Sequence, residues 1–144
     1  MRENNIQDIR AFNRFYTDLI GLLNQHLLNS AYSLAEARII YEVFTGKSIK
    51  ASQIMETMQI DKSYLSRLVK KLEKDGIITR EPSEQDARAT QISLTQKGLK
   101  EFDRLNMASN IQITELLKPL TDDESDQLSL HMKAIVHLLK ANDR

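Results

Sequence analysis

The sequence predicts a mainly α-helical fold with one small β-hairpin. Apolar residues recur at helical spacing through most of its 144 residues. Only Ile77–Glu81 and Thr90–Leu94 read as hairpin strands, with Ile92 and Leu94 alternating against Gln91 and Ser93. Long amphipathic segments lie at both ends, around a central run of short helix, turn, second helix and hairpin.

The first helix is expected from about Asn5 to Leu28, on a stripe that includes Ile6, Ile9, Phe12, Tyr16, Leu19 and Leu23. Gly21 lies inside it and costs ~1 kcal/mol against Ala, which fits either a close helix contact or no role. After a break at Asn29–Tyr32, Ser33-Leu34-Ala35-Glu36 is a capping-box pattern: the serine caps the helix and the glutamate reaches back. The second helix then runs to about Phe44, with Ala37, Ile40, Tyr41 and Phe44 expected inward and Gly46 ending it. Lys47–Ile49 fits a short strand pairing with the hairpin. A third helix over about Ala51–Met58 lacks a Ser or Thr cap near Lys50, so its start is under-capped.

The fourth helix is the most informative. Asp61 caps it, and Gly76 ends it in the left-handed conformation that glycine adopts cheaply. Leu65, Leu68, Val69 and Leu72 form one apolar stripe. The opposite face carries Ser63, Arg67, Lys70 and Lys74, flanked by Lys62, Tyr64 and Ser66. Such a helix is anchored on one side and offers hydroxyls and cations on the other. That suits a DNA major groove, where cations neutralise phosphates and Arg bonds a guanine edge at two points. An ordinary solvated surface helix has the same pattern, so the helix alone leaves both readings open. Beyond it, Pro82–Arg88 is a polar turn, and Thr95 caps a helix of roughly 23 residues at 3.6 per turn that Pro119 stops. Thr121-Asp122-Asp123-Glu124 caps the last helix, where Leu128, Met132, Ile135, Val136 and Leu139 are apolar.

The charges are balanced in total and uneven in place. There are 20 basic and 20 acidic residues. Lys62, Arg67, Lys70, Lys71, Lys74 and Arg80 face only Glu73 and Asp75 in their stretch, whereas Glu115–Asp126 is acidic apart from Lys118. This distribution fits a protein presenting one face to a polyanion. The absence of cysteine excludes disulfides, thiolate metal sites and a thiol switch. No signal sequence or bilayer-spanning run is expected, which is compatible with a cytoplasmic protein.

No catalytic constellation is visible, so no enzyme, metal or cofactor is expected. His26, His131 and His137 are scattered, and no His-Glu-x-x-His occurs. The run Asp122–Asp126 lacks the glycine and glutamate of a calcium loop, having Gln127 and Lys133 there; helix capping accounts for it.

In the order and spacing of its pieces the chain resembles the MarR family of winged helix–turn–helix regulators. The resemblance covers nearly the whole length. It rests on Leu68-Val69-Lys70-Lys71-Leu72-Glu73-Lys74-Asp75-Gly76-Ile77-Ile78-Thr79-Arg80, on Asp86-Ala87-Arg88, and on Ile92-Ser93-Leu94-Thr95-Gln96-Lys97-Gly98. A narrower resemblance, through Phe12–Thr17, Tyr32–Arg38 and Tyr64–Arg67, is to members fused to a GNAT-type acetyltransferase. Ending at Arg144 leaves no room for that enzyme, so the chain is either a stand-alone relative or a piece of a longer one.

The resemblance implies a single 1–144 domain. Its winged helix–turn–helix lobe spans 33–95, between dimerisation helices at 1–30 and 96–144. It implies a homodimer on a pseudo-palindromic operator with half-sites about one helical turn apart, repression being the family's usual mode. Lys62, Ser63, Tyr64, Ser66, Arg67 and Lys70 are then the recognition-helix residues facing double-stranded DNA. Arg88 matches the wing-tip arginine of the minor groove, and Asp86, counted with the DNA-binding set, is expected to brace the arginine or the hairpin rather than touch the anionic DNA. Many relatives hold a small aromatic or anionic effector, and Tyr32, Arg38, Tyr41 and His26 lie where such a cleft is expected. Tyrosines and histidines beside an apolar face are also commonly packed core residues. The alternative to DNA binding is a winged-helix adaptor, which has no need of the basic face or Arg88.

Overall fold

The structure, a computed structural model, describes residues 2–27 and 31–140 and the side chains of 2–23 and 31–140. Among the described residues, six helices and three strands follow in order: α1 (Glu3–Leu27), α2 (Leu34–Gly46), β1 (Ser48–Lys50), α3 (Ala51–Met58), α4 (Lys62–Lys74), β2 (Ile78–Pro82), β3 (Thr90–Leu94), α5 (Gln96–Leu117) and α6 (Asp122–Lys140). The chain falls into two compact units, Met1–Ser109 and Asn110–Arg144, with the division inside α5.

Local chemistry sets most element ends. Ser33 Oγ accepts from the Glu36 N–H at 3.2 Å and Glu36 Oε1 accepts from the Ser33 N–H at 2.9 Å, completing the expected box. Asp61 Oδ1 accepts from the Tyr64 N–H at 2.7 Å. Thr95 Oγ1 accepts from the Gly98 N–H at 3.0 Å, and Thr121 and Glu124 exchange the same pair of bonds at 3.1 and 3.0 Å. Gly76 has φ +77°, as a left-handed helix stop requires. At α3 the under-capped start is relieved from within: Gln53 Oε1 accepts from the Lys50 N–H at 3.0 Å.

Helices α2 and α3 end at Gly46 and Met58 as expected, and in each case the next residue, not a glycine, takes positive φ. After α2 it is Lys47, not Gly46, that takes positive φ, at 64°. Gly46 matters instead for proximity, since a Cβ there would lie 3.2 Å from Ile49 Cβ. At the turn between α3 and α4, Gln59 sits in the left-handed region at φ 54°, ψ 47°. A side chain there is strained, so Gln59→Gly is expected to stabilise the fold by about 0.5–1 kcal/mol. Urea denaturation reads this directly; an unchanged or lowered midpoint would show that Gln59 has a contact worth more than the strain.

The core of the first unit lies where α2, α3, α4 and the sheet meet. Ile39, Ile40, Val43, Ile54, Leu65, Val69, Leu72, Ile77, Ile78 and Ile92 are all buried there. Leu68 packs against that cluster half-buried, as the α4 stripe requires. On α2 the expected inward set is turned: Tyr41 and Phe44 are 51% and 42% exposed, and Glu36, Ile39, Ile40 and Val43 take the inner face. Phe44 is not wasted, since its ring stacks on Phe102 of α5 with centroids 3.8 Å apart. The sheet has the order β1-β3-β2, all antiparallel, so β1 does join the hairpin. Paired residues share a face, and Arg80↔Ile92 places Arg80 on the inner, core side of β2.

In α1, Ile9 and Phe15 are 59% and 67% exposed, and Phe12 stacks on Tyr16 at 5.4 Å. Gly21 faces open space within the described residues. The second unit holds the end of α5 and α6, and in α6 Leu130, Leu138 and Leu139 are each about two-thirds exposed. No helix among the described residues is long and apolar enough to cross a membrane.

Candidate nucleic-acid interface

Helix α4 is set by burial of one face, and that burial decides what the other face presents. Leu65, Val69 and Leu72 are nearly inaccessible, which leaves Lys62, Ser63, Tyr64, Arg67 and Lys70 exposed and Ser66 half-buried. The Arg67 guanidinium carbon stands 5.5 Å from the centre of the Tyr64 ring. A cation over an aromatic face is held by the ring quadrupole, so Arg67 is partly preorganised rather than free in solvent. Lys62 and Ser66 share an apolar crevice of about 140 Å³ with Arg80 and Thr90, between α4 and the inner face of the hairpin.

The cations of this region sort into two groups. Lys71 and Arg80 are occupied. Arg80 makes a two-point contact with Glu73, at 3.1 and 2.8 Å, tying the hairpin to α4. Hydrogen bonding from Arg80 holds the Glu73 carboxyl below its ordinary value and raises the Arg80 guanidinium. Lys71 turns to α2, with Nζ 3.1 Å from Glu36 Oε1 and 2.8 Å from Oε2. Lys62, Arg67, Lys70, Lys74 and Arg88 make no ion pair among the described residues, and all are exposed. Charges left unpaired on one helix face and one loop are what a polyanion needs, because neutralising its phosphates releases condensed counterions.

At the tip of the hairpin, Asp86 Oδ1 accepts from the Arg88 N–H at 3.0 Å, and the Asp86 carbonyl accepts from the Ala89 N–H at 3.0 Å. Asp86 is therefore the brace of the turn, and the Arg88 side chain projects from a constrained backbone. The structure thus joins Tyr64 with Arg67, Lys62 with Ser66, and Asp86 with Arg88; Ser63 and Lys70 stand exposed without a partner among these residues.

Periodicity of α4 alone did not reveal the occupied pairs, which join residues 35 and 7 apart in sequence. A signal for Glu36 existed, since Glu36, Ile39, Ile40 and Val43 lie at i, i+3, i+4 and i+7, the spacing of a buried face. The Glu36 carboxyl is pushed up by burial, and hydrogen bonds from Lys71 and Ser33 outweigh this and hold it below its ordinary 4.5. A lowered folded pKa stabilises above the unfolded value and is lost as pH falls through the folded one. Thermal stability is expected to fall as pH drops below about 4.5, and Glu36→Gln is expected to flatten that dependence. Identical acid profiles for the two proteins would remove Glu36 from the account.

A second cavity, of about 290 Å³, lies between α2 and α5 and is lined by Leu34, Ala37, Arg38, Tyr41, Phe102, Leu105, Asn106 and Ser109. Arg38 and Tyr41 thus line this cavity, with Arg38 Nε bonded to Glu42 at 2.8 Å. Tyr32 is not on it: it is buried, with its ring 5.4 Å from Lys71 Nζ. Burial, then the nearby Asp75 carboxylate, push its phenol above the ordinary value. The His26 side chain lies outside the described residues. No group of three or more metal-ligating side chains occurs among the described residues.

Comparison with known proteins agrees with this geometry. The MarR family model matches residues 32–90, the segment holding α2 to the wing. The chain is 29% identical over 133 residues to the HTH-type transcriptional regulator PrsX of Escherichia coli, covering 90% of this chain and 78% of that one. It is 33% identical over 88 residues to the HTH-type transcriptional regulator PapX of Escherichia coli, covering 61% of this chain and 54% of that one. Among solved structures, a mutant MarR from E. coli in complex with operator DNA superposes with a TM-score of 0.77 at 22% identity, covering 92% of this chain and 95% of that one. PrsX and PapX are named as transcription regulators, not as enzymes. A shared fold over nine-tenths of the chain, a family match centred on the helix–turn–helix, and relatives of that kind lead to one conclusion: residues 32–90 match the MarR family, and the chain is similar to winged helix–turn–helix transcription regulators along most of its length.

Proposed function

We propose that this regulator acts as a homodimer that binds a pseudo-palindromic DNA operator in the cytoplasm and represses transcription there. The observation that carries this reading is the division of cations on α4 and the wing. Lys71 and Arg80 are tied to carboxylates that hold the fold, while Lys62, Arg67, Lys70, Lys74 and Arg88 are left without acidic partners among the described residues. Ser63, Tyr64, Ser66 and Arg67 offer the hydroxyls and guanidinium that read base edges from a helix in the major groove. Arg88, on a turn braced by Asp86, reaches the neighbouring minor groove.

Pairing with a second copy is supported by surface that water tolerates poorly. Phe15 and Ile9 on α1, and Leu130, Leu138 and Leu139 on α6, are more than half exposed in the single chain. Apolar residues in such numbers mark a surface that is covered in the working state. A closed two-fold dimer covers both sets and fixes the separation of two recognition helices. The cavity bearing Arg38 and Tyr41 has the charge and aromatic lining to take a small aromatic anion. Such an effector releases DNA only if it binds the DNA-free state more tightly.

Fluorescence anisotropy tests the reading, with the protein titrated into the DNA upstream of its own gene and into a scrambled duplex across a salt series. Preference for the upstream DNA, two chains per site and a steep salt dependence are expected. No binding to either duplex at low salt would sink the DNA reading and leave the adaptor role.

A further inference from the structure

Lys71 lies on the recognition helix, directly after Lys70, yet its ammonium turns away from the exposed basic face. It is received by Ala31, Tyr32 and Glu36, in the segment that leads into α2 and its first turn. Glu36 Oε1 accepts its hydrogen bond at 3.1 Å and also the Ser33 N–H at 2.9 Å. Oε2 lies closer to Nζ, at 2.8 Å, so both carboxylate oxygens face the ammonium. The Ala31 carbonyl is 3.5 Å from Nζ and the Tyr32 ring centre 5.4 Å. One ammonium thus gathers a carboxylate from the first turn of α2 and a carbonyl and an aromatic face from the residues just before it.

We infer that Glu36 and Lys71 are a positioning pair that sets the angle of the recognition helix against the first turn of α2. The inference rests on the proposed DNA-binding role of α4. Its physical basis is the unequal burial of the two partners. Glu36 is only 4% exposed, whereas the Lys71 side chain is about half exposed. Without Lys71, a carboxylate is stranded out of water, and α2, α4 or both must shift to rehydrate it. Without the Glu36 charge, Lys71 turns to solvent at little cost. The pair is therefore asymmetric, and removing both charges leaves nothing stranded. The same turn supplies Leu34, Ala37 and Arg38 to the cavity between α2 and α5, so the pair also fixes the recognition helix to that wall.

The test uses full-length wild type, Lys71→Met, Glu36→Gln and the double variant, at a temperature below the melting point of each. Affinity for the upstream and scrambled duplexes is measured across a salt series, and hydrogen exchange is followed on α4. Lys71→Met is expected to lower the preference for upstream DNA at least about tenfold, with the salt slope unchanged and α4 exchange faster. Glu36→Gln is expected to do less, and the double variant to return toward wild type in both readouts. A lysine that touched phosphate would instead reduce the salt slope by about one, and the double variant would stay as weak as Lys71→Met; either result overturns the inference. So does wild-type exchange and preference in Lys71→Met. If wild type itself shows no DNA preference, the functional reading fails, and the exchange pattern alone then decides the pair.

Discussion

Gly98→Ala is expected to destabilise the fold by about 3 kcal/mol, at the upper end of the cost of overpacking, and to lower the melting temperature by roughly 6–12 °C. On propensity alone the change favours the helix by up to ~1 kcal/mol, so the sign depends on what surrounds the residue. Gly98 is buried in the first turn of α5. A Cβ there would collide with the Ile77 carbonyl oxygen and stand 3.1 Å from Ile77 C and 3.3 Å from Leu94 Cβ. The colliding atom is backbone, which has no rotamer to retreat into. That carbonyl also accepts from the Thr95 N–H at 3.0 Å and from Thr95 Oγ1 at 3.1 Å. Lys97 Nζ bonds the Asp75 carbonyl at 2.7 Å beside it. The junction joins the end of α4 to the start of α5, so a forced shift also displaces the end of the recognition helix. Chemical denaturation with circular dichroism measures the change, and a variant as stable as wild type would mean that the approach of α5 to Ile77 is soft.

Arg67→Ala is expected to weaken binding to the upstream operator by about 10–100-fold, the 1–3 kcal/mol of a bidentate base contact. Arg67 is exposed at the middle of α4 and braced by Tyr64, so little order is lost when it meets a base. The loss should be specific: preference over the scrambled duplex falls more than affinity for it. Arg67→Lys keeps the charge but lacks the planar fork, so it should restore the salt dependence without the sequence preference. Arg88→Ala is the contrast. It removes a cation from the wing, so it should reduce the salt slope by about one and cost less selectivity. Equal loss on both duplexes for Arg67→Ala would move that residue from base reading to phosphate contact.

What was legible in the chain is what depends on neighbours within a few residues. The Ser33–Glu36 box, the Asp61, Thr95 and Thr121 caps and the Gly76 stop each close within four residues, and each stands in the structure as read. The α4 stripe was legible because it is amphipathic in a strict sense, with few apolar residues off the stripe. The basic face followed from the same fact.

The sequence by itself determined the elements, their order and the chemistry carried by each helix face. Tertiary structure decided which faces meet. Helix α2 is apolar on several sides, so periodicity allowed Tyr41 and Phe44 inside; the packing of α3, α4 and the sheet selected Ile39, Ile40 and Val43, and with them Glu36. Strand register put Arg80 on the inner face within reach of Glu73. Those choices sorted Lys71 and Arg80, which hold the fold, from the cations left for a partner. A local pattern sets the angle of a side chain about its own helix axis, and only the neighbouring element determines whether that angle points to water, to a carboxylate or to the core.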